Sequence, residues 1–174
     1  MFWSILYHIL HLPLLLGILL SCNFCFDAQV CNVLKLCSQR VYLLKLLRDQ
    51  GLSRDQLHTV FLALVVSRLR YALPAWSGFL KTDQTGQINA FLKRLYKYGF
   101  SCELMRLETL INEFDKRLFH KMGNQAHCLH SILPPLPCFA SLQTRSKGHP
   151  YELPRYKYDL SRKSFVLRCL YNFV

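Results

Sequence analysis

Residues able to do chemistry are few in this chain, and their spacing argues for binding rather than catalysis. His127-Cys128-x-His130 with Cys138 offers imidazole and thiolate, the ligand types that suit zinc. The spacing is not a standard zinc pairing, and Leu129, Ile132 and Leu133 read equally as one side of a short packed helix. Cys22-x-x-Cys25 has the form of a redox or metal pair, but it closes an apolar run and has no matching second pair. Ser, His and Asp occur without a Gly-x-Ser-x-Gly elbow to order them. The glycines are isolated and form no phosphate-cradling loop. No metal site is expected, with His127, Cys128, His130 and Cys138 the weak candidate for one, and no catalytic residue, cofactor or small-molecule substrate is expected.

The cations are the stronger signal. Twenty-two Lys and Arg face ten Asp and Glu, a net charge of +12, which points to nucleic acid, an anionic membrane surface or an acidic protein. The densest set is Lys93, Arg94 and Lys97, interleaved with Tyr96 and Tyr98. A second set lies near the C-terminus: Arg145, Lys147, Arg155, Lys157, Arg162 and Lys163, with Tyr151, Tyr156 and Tyr158. Cations suit phosphates, and the rings suit stacking on unpaired bases. The same helical cations also read as an ordinary solvated face, and Tyr96 as core.

These residues must be positioned by helices. A hydrophobic fraction of 52% over 174 residues is enough for one domain with a real core. Residues 1–26 carry no charge and read as an apolar leader; as a helix, about 22 residues would cross a hydrocarbon core of about 30 Å. That leader is an anchor, a signal-like segment, or an unrelated stretch read in frame ahead of the domain. The protein is membrane-associated in the first case and intracellular in the last. The eight cysteines lack the spacing of a disulfide framework and are expected to be mostly reduced, buried thiols.

From Asp27 onward helical periodicity takes over. Cys31 to Asp49 places Val33, Leu36, Cys37, Val41, Leu44 and Leu47 on one side, with Gly51 as its C-cap. Ser53 caps a core helix whose apolar run ends at Pro74, too short and too charged at its end to span a membrane. Asp83 to Phe100 follows, closed by Gly99. Ser101 to Met122 then gives a stripe of Leu104, Leu107, Ile111, Phe114, Leu118 and Met122. A short turn over Ala126 to Leu133 breaks at a proline cluster, Pro134 to Pro137, and Ser161 to Asn172 predicts a last helix. The expected fold is all-α: a small helical bundle over 27–133, with an irregular basic and aromatic tail over 134–174.

Several strings in this order resemble one family. Cys37-Ser38-Gln39-Arg40-Val41-Tyr42-Leu43-Leu44-Lys45-Leu46-Leu47-Arg48 with Gln50-Gly51-Leu52, then VVSRLRYALPAWSGF (65–79), INAFLKRLYKYGF (88–100), LFHKMGNQAHCLHSILPP (118–135) and RSKGHPYELPRYKYDLSRKSFVLRCL (145–170) resemble the region after the palm of non-LTR (LINE-type, jockey-like) retrotransposon reverse transcriptases. The resemblance spans 27–174 and implies a thumb that clamps a primer–template by its phosphates. It also implies a palm with a Tyr-x-Asp-Asp turn, because two Mg²⁺ ions need adjacent carboxylates. This sequence has no Asp-Asp pair. The expectation is therefore a truncated, catalytically inactive reverse transcriptase fragment that binds RNA or DNA through basic helix faces. Two alternatives stand beside it: a small membrane-anchored basic protein, and a host interaction module derived from the element. Without the palm that such a fragment packs against, Trp76, Phe79 and the apolar flank of the first helix are expected to be orphaned interface.

Overall fold

The fold follows from where the chain caps, breaks and buries its helices. The computed structural model describes residues 14–15, 17–21, 25–135 and 151–173. The protein is all-α, apart from a hairpin of two-residue strands, β1 (Leu14–Leu15) and β2 (Ile18–Leu19). The chain forms two compact units, Met1–Leu110 and Ile111–Val174. The expected boundary at 133/134 therefore falls inside the second unit.

In the first unit, the described part of the leader is not a membrane-length helix. β1 and β2 pair antiparallel with Leu14 opposite Leu19, and Gly17 between them sits at φ 81°, a backbone region glycine enters without strain. The Leu19 amide donates to Gln29 Oε1 at 3.0 Å. Phe26 is buried and stacks on Phe79 with ring centroids 5.7 Å apart.

Helix α1 (Asp27–Asp49) buries Val30, Val33, Cys37 and Leu44. It ends as expected at Gly51, which takes φ 90° while the Leu52 amide reaches back to the Leu47 carbonyl at 3.2 Å, a Schellman closure. Leu36, placed by its spacing on the side of Val33 and Cys37, is instead exposed, as are Leu43 and Leu46. Trp76, expected at the surface, is instead fully buried, with its indole N–H donated to the Tyr71 carbonyl at 3.2 Å.

Helix α2 (Arg54–Phe61) starts at Ser53 with a capping box: the Gln56 amide donates to Ser53 Oγ, and the Ser53 amide donates to Gln56 Oε1 at 3.1 Å. It runs through a π-helical turn (Leu62–Val66) into α3 (Ser67–Arg70). A π turn interrupts the regular α ladder, and side chains reach carbonyls along it. Arg40 Nη1 donates to the Leu64 carbonyl at 2.8 Å, and the Cys37 thiol approaches the Val65 carbonyl at 3.7 Å, both from α1. Ser67 Oγ donates to the Ala63 carbonyl.

The helix stops at Arg70, four residues before Pro74, because the proline ring would strike the carbonyl four positions back. Tyr71 turns extended and Ala72 takes φ 50°, after which Pro74 sits in the first turn of α4 (Leu73–Trp76). Taken to Phe79, the run Arg54–Phe79 has 26 residues and holds an 18-residue window of mean hydropathy 1.2, which by length and composition alone is enough to cross a membrane. The expectation that it is too short is therefore corrected on length and composition. The break at Tyr71–Ala72 interrupts it, and Leu57, Phe61, Val65, Val66, Leu69, Leu73 and Trp76 are all buried in the protein.

After a 3₁₀ turn (Ser77–Phe79), α5 (Thr82–Lys97) buries Ile88, Phe91, Leu92 and Leu95 and packs on α1. It closes at Gly99, φ 78°. Helix α6 (Leu107–Met122) starts six residues later than the periodicity suggests. Residues 101–106 are not helical, and Leu104, expected inward, is 48% exposed. The start is fixed by a residue of another helix: Asn89 Oδ1 accepts the Leu107 amide at 2.8 Å.

In the second unit, the expected last helix is two, α7 (Asp159–Arg162) and α8 (Phe165–Asn172), divided where Ser164 becomes extended. Cys169 and Leu170 are buried, while Phe165 and Val166 are half-buried. His130–Ile132 is a 3₁₀ turn, and residues 151–158 are irregular, as expected of the tail.

Candidate nucleic-acid interface

On α5, positions 93, 94 and 97 span about 100° of the helix at 3.6 residues per turn, opposite the buried stripe. Lys93, Arg94 and Lys97 are all exposed. None forms an ion pair with an acidic residue among the described residues. Tyr96 is 37% and Tyr98 50% exposed, so Tyr96 is not core. The Tyr98 ring meets Phe100 edge-on at 6.3 Å.

The fold adds two cations that sequence reasoning missed. Arg48, from the end of α1, donates to the Tyr98 carbonyl at 3.4 Å and lies 5.2 Å from the Phe100 ring centroid. Arg54, from the start of α2, donates to the Ser101 carbonyl at 3.4 Å. Both come to the C-terminal end of α5, where outward-facing carbonyls favour cations. No local pattern announces this, since the two residues lie about 50 positions from their partners.

Beside Lys93 is a half-open cleft of about 240 Å³, lined by Asn89, Ala90, Lys93, Leu104, Met105, Arg106 and Glu108. Asn89 is held from both ends: its Oδ1 takes the Leu107 amide and its Nδ2 donates to Glu108 Oε1, each at 2.8 Å.

The tail set divides. Arg145 and Lys147 lie outside the described residues, whereas Arg155, Lys157, Arg162 and Lys163 are exposed. Tyr151 is half-buried, edge-on to Phe119 at 6.1 Å. Tyr156 is half-buried too, edge-on to Tyr171 at 5.5 Å, with the Arg162 guanidinium 5.8 Å from its centroid. Of the three stacking candidates only Tyr158 is broadly exposed, at 63%, with Lys157 over its ring. Arg168, on the same stretch, instead binds Asp115 through two nitrogens, at 2.8 and 3.0 Å. Burial pushes the Asp115 carboxyl upward while Arg168 pulls it back.

Among the described zinc candidates, His127, Cys128 and His130 form no metal-holding group. His130 Nδ1 donates to the Met122 carbonyl at 2.9 Å, His127 Nδ1 accepts the Leu129 amide at 3.2 Å, and Cys128 is exposed. Cys138 lies outside the described residues, among which no group of three or more His, Cys, Asp or Glu is placed to hold a metal. Cys22 and the end of the proline cluster also lie outside them. Cys25 donates to Asp27 at 2.5 Å, with Lys81 Nζ 3.2 Å from the same carboxylate. The Cys25, Gln84 and Lys81 contacts hold Asp27 below the usual carboxylate range.

The described cysteines are free thiols, as expected, but only Cys37 and Cys169 are buried; Cys31, Cys102 and Cys128 are exposed. Burial pushes the thiol of Cys37 up to about 11 and that of Cys169 up to about 12.

Comparison with protein-family models, with characterised proteins and with solved structures finds no match.

Proposed function

We propose that this chain is a thumb-like helical module of the non-LTR retrotransposon reverse transcriptase kind, and that it holds RNA or a primer–template by its phosphates without catalysing a reaction itself. One observation carries the reading: Lys93, Arg94 and Lys97 form an exposed cationic face on α5, opposite its buried stripe and without acidic partners among the described residues. Phosphate contacts need flexible cations on a rigid element, and acid–base machinery adds nothing to them. The ordered run of family-like strings over 27–174 supports the same reading. The absence of any Asp-Asp pair in the sequence supports the lack of polymerase chemistry in this chain.

The test is fluorescence anisotropy of the full chain with labelled single-stranded and duplex oligonucleotides. The triple substitution Lys93→Ala, Arg94→Ala, Lys97→Ala weakens binding to every sequence alike, with helical circular dichroism unchanged. Equal affinity of wild type and triple variant contradicts the proposal.

A second reading, an interaction module derived from such an element, is favoured by the exposed Leu36, Leu43 and Leu46 on α1. An apolar strip on a charged protein is a contact surface for another protein. Replacing these leucines would then abolish partner binding and leave oligonucleotide binding intact.

A further inference from the structure

The cleft beside Lys93 has a chemistry that the backbone contact alone does not use. Its walls are apolar, from Leu104 and Met105, and its cations are Lys93 and Arg106. At about 240 Å³ it falls below the roughly 300–1,000 Å³ of sites for drug-sized ligands, which leaves room for a single planar ring system. Leu104, 48% exposed outside any helix, offers that ring a face at no cost to the core.

The polar element is an exposed carboxylate held through one oxygen. Asn89 donates to Glu108 Oε1 at 2.8 Å while its own oxygen is occupied by the Leu107 amide, so the pair cannot rotate freely. No described residue bonds Glu108 Oε2. A carboxylate held this way accepts two neighbouring N–H groups. Among the bases, guanine alone presents two adjacent donors on its Watson–Crick edge, N1–H and the N2 amine. Adenine, cytosine and uracil each place an acceptor beside the donor there, which a carboxylate repels. Lys93 and Arg106 offset the repulsion between Glu108 and the phosphate of the same nucleotide.

We propose that this cleft receives an unpaired guanine of a single strand whose backbone lies along α5, with Glu108 reading the base and Leu104 and Met105 covering its face. The inference rests on the proposed backbone contact of Lys93, Arg94 and Lys97.

The experiment titrates the full chain with labelled uridine strands of equal length carrying one central guanine, adenine or cytosine. The guanine strand binds about tenfold more tightly than the others, the discrimination expected of one good two-point base contact. Glu108→Gln, which keeps an acceptor for Asn89, brings the guanine strand to the affinity of the other strands, read as the ratio between strands so that any uniform change from the lost charge cancels. Equal affinity for all strands, or a guanine preference that survives in Glu108→Gln, overturns the inference while leaving the backbone contact standing if the triple alanine variant still weakens binding. Displacement of the guanine strand by GMP at the concentration at which the unlabelled strand competes makes the free nucleotide the occupant and overturns the assignment to nucleic acid. Failure of every strand to bind at low salt overturns both this inference and the proposed function.

Discussion

Asp115 and Arg168 form the most buried ion pair among the described residues. The carboxylate side chain is 3% exposed and the guanidinium 13%, so removing either partner strands a charge in a poorly solvated place. Breaking such a pair costs roughly 3–5 kcal/mol, mostly the penalty of the remaining unpaired ion rather than the worth of the contact. Arg168→Ala is therefore expected to lose about 3 kcal/mol or more in urea unfolding, and a loss below about 0.5 kcal/mol would contradict the burial of the pair. The thiols give a second check at this scale. Cys37 and Cys169 keep their protons to about 11 and about 12 in the folded chain against an ordinary 9.0. A folded-state value above the unfolded one contributes stability that is complete below the unfolded value and lost as pH rises through the folded one. Stability should thus fall between about pH 9 and 11–12. Peptide mapping after native alkylation at pH 8 should find Cys31, Cys102 and Cys128 modified, and Cys37 and Cys169 modified only after unfolding.

At the scale of elements, the cap that starts α6 comes from α5. Asn89→Ala removes the acceptor for the Leu107 amide and the donor to Glu108. It should cost about 1 kcal/mol, as loss of an N-cap does, and circular dichroism melts of the variant against wild type check it. This cap also marks the limit of what could be read from sequence. Ser53, Gly51 and Gly99 announced their helix ends correctly because each acts on its own backbone within a few residues. Leu104 misled because its spacing to Leu107 and Ile111 continues the helical period through residues 101–106, while the real start is chosen by Asn89 from another helix. The π turn was equally hidden, since its carbonyls are satisfied by Arg40 and Cys37 of α1. Pro74 was legible as a stop, but its ring acts four residues upstream, which moved the end of α3 to Arg70. The basic face of α5 was legible because cations opposite an apolar stripe are a one-helix pattern. Arg48, Arg54 and the Asn89–Glu108 cleft were not, because they exist only after helices meet.

At the scale of the whole molecule, a charge of +12 is sequence-independent attraction for a polyanion, and the fold decides where that attraction is spent. Arg168 is committed to Asp115, Lys81 to Asp27, and Arg40 to the π turn. Lys93, Arg94 and Lys97 are left facing solvent. On the proposed reading each phosphate they neutralise releases counterions, so binding weakens as salt rises and the slope counts the contacts. The most direct measurement is the slope of log K against log salt for a single-stranded RNA, taken for wild type and for the triple alanine variant. A steep wild-type slope that becomes shallower by about 2 in the variant, at about 0.7 for each lost contact, is the predicted result. A flat wild-type slope, or one that the substitutions leave unchanged, contradicts the account.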